Sequence, residues 1–170
     1  MKKFLSVIIF LSVIIPANSL DVSAYIPVEY AEFIDFFKTR EGEGPGLKIY
    51  RDSFFRVHAI LPEYPKEIDE TDIENISYTV RSLGLHPNVV SEFSYKIEYI
   101  YPSDVEWQEE TILTFYIQTK QREQFEKDFE INDSIYWFIV FETFNTFNQR
   151  GYFLVSDFMN KNQFSIIVGE

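Results

Sequence analysis

The groups in this chain that could do chemistry are two histidines and an excess of carboxylates. His58 and His86 are the only histidines among 170 residues. A zinc site would need them joined by carboxylates, and neither an HExxH motif nor any close histidine spacing is present, so no metal is assigned. A Ser-His-Asp triad is recognised by geometry rather than by order in the chain, and no GxSxG segment singles out a nucleophile. The carboxylates Glu63, Glu67, Asp69, Glu70, Asp72 and Glu74 could offer oxygen ligands to calcium. They lack the spacing and the glycine of an EF-hand loop, and a solvated charge run that ends in helix caps explains them more simply. For glycoside hydrolysis the pair of interest is Glu142 and Asp157, which interrupt apolar runs. With Phe144 facing Tyr152 the two carboxylates point to opposite sides of a hairpin, which prevents joint action. Asp157 is then expected to be exposed and Glu142 to be paired with a cation. No catalytic residue and no cofactor is assigned.

A sharper candidate is aromatic. Nine of the 25 residues in Ser134–Phe158 are Phe, Tyr or Trp. The segment reads as strands Ile135–Phe144 and Tyr152–Phe158 joined by the polar loop Asn145–Gly151. Neither strand has a polar face, so both sides of this hairpin demand cover. Tyr136, Phe138, Phe144, Phe147, Arg150 and Tyr152 form the candidate binding surface, for a protein partner or for a small apolar or sugar ligand. The competing account is a central hairpin covered by the helix Val28–Arg40.

Composition narrows the classes. Eighteen Phe, eleven Tyr and few Gly or Pro suit an ordered β-rich domain. A net charge of −12 leaves nothing to neutralise a run of phosphates, which excludes nucleic acid as a partner. Residues 1–19 read as a cleavable signal peptide: Lys2 and Lys3, the apolar stretch Phe4–Ile15, Pro16, then small residues before the cut. That stretch is short for a membrane span, so no transmembrane segment is expected after its removal. With no cysteine there is neither a lipobox nor a disulfide, and the domain must be held by its core alone.

The elements around these residues follow from period and caps. Val28–Arg40 has helical spacing, with Pro27 at its start and Gly42–Gly46 as a linker after it. Leu47–Leu61 reads as a strand interrupted near Arg51-Asp52-Ser53. Thr71–Leu85 reads as a helix opened by a Thr71/Glu74 capping box and closed at Gly84. Asn88–Tyr101 and Thr111–Thr119 alternate as strands. Phe125–Ile131 also alternates, with Phe125, Phe129 and Ile131 inward. Asn132-Asp133 then turns into the hairpin, and Asn160-Lys161-Asn162 turns into a last strand, Gln163–Val168.

Residues 20–170 are thus expected to form a single α+β domain. Its sheet is a mostly antiparallel β meander, a curved sheet or small barrel, packed with one or two N-terminal helices. The expected function is that of an exported cell-envelope protein, periplasmic or secreted, with a non-catalytic binding or assembly role. The alternatives are a small apolar-ligand carrier and a carboxylate-based hydrolase.

Overall fold

The computed structural model describes residues 21–33, 47–50, 54–101, 110–145 and 149–168, with the backbone alone for 47–50, 141, 142 and 168. The expected signal segment 1–19, the part of the expected helix beyond residue 33, the expected linker Gly42–Gly46, and Phe147 lie outside this set.

Eight strands form one mixed sheet. They are β1 (Ile26–Glu29), β2 (Leu47–Tyr50), β3 (Phe55–Ile60), β4 (Lys66–Glu67), β5 (Phe93–Tyr101), β6 (Thr111–Gln118), β7 (Ser134–Asn145) and β8 (Arg150–Asn160). The order is β1-β3-β7-β8-β6-β5-β4, and β2 pairs β7 beyond the end of β3. Leu47–Leu61 therefore does lie along one partner as two strands. The helices are α1 (Glu70–Ser82), α2 (Arg122–Asp128) and α3 (Lys161–Val168).

This corrects the expected meander. β1 runs parallel to β3 and β6 parallel to β8, and β1 and β4 stay unjoined edges of an open sheet. The cause lies between β6 and β7, where α2 carries the chain past the position beside β6. β8 then returns into that gap, antiparallel to β7 and parallel to β6. The three labelled helices are mid-chain and C-terminal rather than N-terminal. Near the N-terminus residues 30–33 are helical, and Pro27 sits inside edge strand β1, where its missing N–H costs no ladder bond.

The expected strand Asn88–Tyr101 begins only at Phe93, after a 3-10 turn, and two further segments expected as strands are helices. Phe125 and Phe129 are one helical turn apart, and both bury against Phe158, while Ile131, expected inward, stands 46% exposed. In α3 a reciprocal cap decides the outcome. Asn160 N–H donates to Gln163 Oε1 and Gln163 N–H to Asn160 Oδ1, both at 2.9 Å.

The sheet curls around the larger core, which contains Phe33, Val57, Tyr99, Phe115, Phe125, Trp137 and Phe153. Trp137 on β7 donates Nε1–H to the Tyr99 hydroxyl on β5 at 2.9 Å, although β8 and β6 lie between those strands. The opposite face is shielded twice. Ile76 and Val80 of α1 pack on Tyr116 and Leu154, while Phe164 of α3, together with Val22 and Tyr25 from the N-terminal segment, packs on Phe138 and Met159. Cover on both sides is what an all-apolar hairpin requires.

Candidate functional site

The central hairpin does not present its aromatics as one surface. Along β7 the partner steps from Asp157 at Phe138 to Val155 at Ile139, which makes Ser156 an extra residue in β8. It then steps to Leu154 at Phe141, which makes Val140 an extra residue in β7. Each bulge reverses the alternation of the strand that carries the extra residue. Phe138 consequently packs under α3 and Phe144 in the larger core, on opposite faces, both almost fully buried. Tyr136 is half-buried, its ring stacked between His58 and Phe164. Tyr152 is half-buried beside Tyr116 under α1, where burial pushes its phenol up against the pull of the nearby Arg150 charge. Arg150 is half-exposed at the start of β8. The structure thus brings Arg150 and Tyr152 together and separates them from Tyr136, Phe138 and Phe144.

The broken ladder at these bulges is repaired by side chains. Ser156 Oγ donates to Phe138 O, Gln118 Nε2 to Val155 O and Gln121 Nε2 to Ser156 O. Tyr25 shares a hydrogen bond with Ser156 Oγ at 3.0 Å. Asp157, expected to be exposed, is 5% exposed beside this repair. Burial pushes its carboxyl up, partly offset by the Phe158 N–H at 2.8 Å and by the charge of Lys120. The Glu142 side chain lies outside the described set.

A cleft opens at the other end of the sheet. Glu67, Ile68, Ile73, Pro87, Asn88, Val90, Ser91, Phe93, Ser94, Tyr95 and Thr119 line a volume of about 730 Å³. Each wall has a local cause. β4 ends with Ile68 N–H bound to Ser94 O at 3.1 Å. A register shift between Phe93 and Tyr95 turns Phe93 toward α1 and away from the larger core. The third wall is a 3-10 turn, Pro87–Glu92, entered through the α1 C-terminus. There Gly84 takes φ 71° and Leu85 N–H reaches back to Val80 O, the left-handed cap read from the sequence. Ile73 continues the apolar stripe of Ile76 and Val80 but stands 45% exposed at the mouth of the cleft. That surplus apolar residue is the sequence signal that could have located it.

The adjoining polar groups hold α1 in place. The cap is Asp69, not Thr71: Asp72 N–H donates to Asp69 Oδ1 and Asp69 N–H to Asp72 Oδ2. Asp72 also accepts from the Tyr116 hydroxyl at 3.0 Å and pairs with Lys96 Nζ at 2.8 Å. Burial works against the Lys96 ammonium, but the hydrogen bond to Asp72 and the charges of Asp72, Glu98 and Asp69 outweigh it and hold the group above its usual value. Glu63 pairs with Lys66. The carboxylates weighed for calcium are thus spent in part on caps and ion pairs, and no three His, Asp or Glu side chains converge on a common point among the described residues.

The histidines lie apart. His86 accepts the Asn88 N–H on Nδ1 and caps the 3-10 turn. His58 on β3 contacts Glu29 of β1 and Ser134 of β7. Among the described residues, no helix is long and apolar enough to cross a membrane. No protein family, characterised protein or solved structure matches the chain.

Proposed function

We propose that this is an exported binding or assembly protein of the cell envelope, periplasmic or secreted, that takes a small amphipathic ligand in the cleft between α1 and the start of β5. The observation that carries the reading is the cleft, whose volume of about 730 Å³ falls in the range of small-molecule sites. Ile68, Ile73, Val90, Phe93 and Tyr95 supply apolar wall, while Asn88, Ser91, Ser94 and Thr119 supply amide and hydroxyl groups. That combination suits a molecule with one apolar and one hydroxyl-bearing face. Export rests on the features of residues 1–19. The aromatic hairpin is the scaffold of this reading rather than its binding surface, because Phe138 and Phe144 are consumed by the two cores.

The test uses the mature chain and Nile red, an uncharged amphipathic dye. Saturable binding with a blue-shifted emission is expected, weakened at least about tenfold by Ile73→Asp, since a charge in an apolar wall costs more than 1.4 kcal/mol. Absence of saturable binding, or an Ile73→Asp chain that binds like the wild type, rejects the cleft.

A further inference from the structure

At the edge of the sheet away from the cleft, β1, β3 and β7 lie side by side. The parallel register sets Glu29 beside His58. The antiparallel register sets Tyr136 opposite His58, with Ser134 two residues along the same face. The side chains close this juxtaposition into a row. His58 Nδ1 lies 2.9 Å from Glu29 Oε2, and His58 Nε2 lies 2.7 Å from Ser134 Oγ. A carboxylate can only accept, so Nδ1 carries the proton in the neutral ring. The Nε2 lone pair then accepts the Ser134 O–H. The imidazole is held flat against Tyr136, centroids 4.7 Å apart, and Tyr136 is backed in turn by Phe164 at 4.2 Å. Ser134 is held as firmly. It opens β7 directly after a turn in which Asn132, at φ 76°, donates to Leu61 O and Leu61 N–H donates to Asp133 O. The row is open to solvent, the His58 side chain being 32% exposed.

We propose that Ser134 is an acyl-transfer nucleophile, with His58 as its general base and Glu29 as the group that positions the base, acting on small activated acyl esters. Ser134 Oγ bonds to the ester carbonyl carbon as its proton passes to His58 Nε2. The ester C–O bond then breaks, and the departing alcohol takes that proton, leaving an acyl-serine. Water attacks this carbonyl, giving a proton to Nε2. Ser134 Oγ leaves, regains the proton, and the carboxylic acid departs. The net change is ester plus water to acid plus alcohol, with no redox partner. This site lies apart from the cleft and is independent of the binding reading.

A cross-strand row of purely structural value would give none of this reactivity, and that difference is the test. The mature wild-type chain is treated with a fluorophosphonate probe, and the adduct is located by tandem mass spectrometry, which requires no variant to fold. One adduct on Ser134 is expected. His58→Gln should slow labelling by about 100-fold, the lower end for loss of a general base. Glu29→Gln, a change at an exposed side chain, should slow it by about tenfold while 4-nitrophenyl acetate turnover falls in parallel. An unlabelled wild type, labelling spread equally over several hydroxyls, or His58→Gln labelled at the wild-type rate overturns the assignment.

Discussion

Tyr99→Phe is the most direct probe of the curl that shapes this domain. The substitution removes one oxygen and leaves the ring. Trp137, 0% exposed, then keeps an indole N–H with no acceptor at 2.9 Å, in a core whose nearest rings are Phe115, Phe125 and Phe158. Stranding a buried donor costs about 1–3 kcal/mol. For a domain of this size about 2 kcal/mol corresponds to a fall of roughly 4–8 °C in Tm. Trp137→Phe should cost more, because it strands the Tyr99 hydroxyl and also opens a cavity. The decisive quantity is the coupling. The double variant removes both partners of the bond, so its cost should fall short of the sum of the single costs by about 1 kcal/mol or more. Urea denaturation followed by far-UV circular dichroism measures all four proteins without relying on the indole itself. Additive costs, or a Tyr99→Phe penalty within about 0.3 kcal/mol of zero, would mean that β5 and β7 do not meet across the core, and the curled sheet would be wrong.

Three other outcomes follow from the same coordinates. Phe125→Ala should destabilise by about 3–5 kcal/mol in urea unfolding, because a fully buried ring between Phe129, Trp137 and Phe158 is lost; a cost below about 1 kcal/mol would return residues 125–131 to a surface strand. Asp72→Ala should cost about 2 kcal/mol or more, since it removes the reciprocal cap, the acceptor of the Tyr116 hydroxyl and the nearest carboxylate of Lys96, which keeps only Glu98 at 3.5 Å and Asp69 at 3.8 Å; a cost near 1 kcal/mol would reduce Asp72 to a cap alone. Burial holds the Asp157 carboxyl above its usual value, so the folded chain keeps this proton at pH values where the unfolded chain has lost it. Stability due to this group therefore falls as pH rises through that window, and the ionised form is a constant cost above it. Asp157→Asn should gain on the wild type at pH 7 and lose that advantage on acidification toward pH 3; an advantage that grows with acidification would reverse the sign.

The legible parts of the fold were those with a local cause. The left-handed cap at Gly84 and the apolar stripe of α1 are written in adjacent residues, and so is the shared face of Leu113, Phe115 and Ile117, although the other face of that strand is buried as well. α3 was misread: Asn160 and Gln163, three residues apart, carry its cap, but the β-branched and aromatic residues after them read as a strand. α2 misled for a different reason. Phe125, Phe129 and the charges between them satisfy both a two-residue and a four-residue period, and only the Phe158 ring in the core chooses between them. The parallel pairings had no local signal, because the position of β8 between β7 and β6 depends on where α2 leaves room. For the same reason Glu29, His58 and Ser134 were invisible as a group, since strand register alone brings them together.

The hairpin without a polar face is where sequence and structure inform each other most. An unbroken ladder would send Tyr136, Phe138 and Phe144 to one side, and that side would have to be a continuous aromatic surface. With Val140 as the extra residue in β7 and Ser156 as the extra residue in β8, the alternation reverses once in each strand, so each face receives aromatics from a different stretch of the same strand. Phe138 meets α3, and Phe144 enters the larger core. The bulges have a polar cost, and Gln118, Gln121 and Ser156 meet it by taking up the carbonyls that the ladder gives up. Gln118 and Gln121 are accordingly 6% and 7% exposed and belong to the hairpin. Among the described residues, the aromatic density of this hairpin is thus met by cover on both sides. Chemistry is left to the two edges of the sheet, where an apolar stripe outruns its core at Ile73 and where three strands set a serine against a histidine.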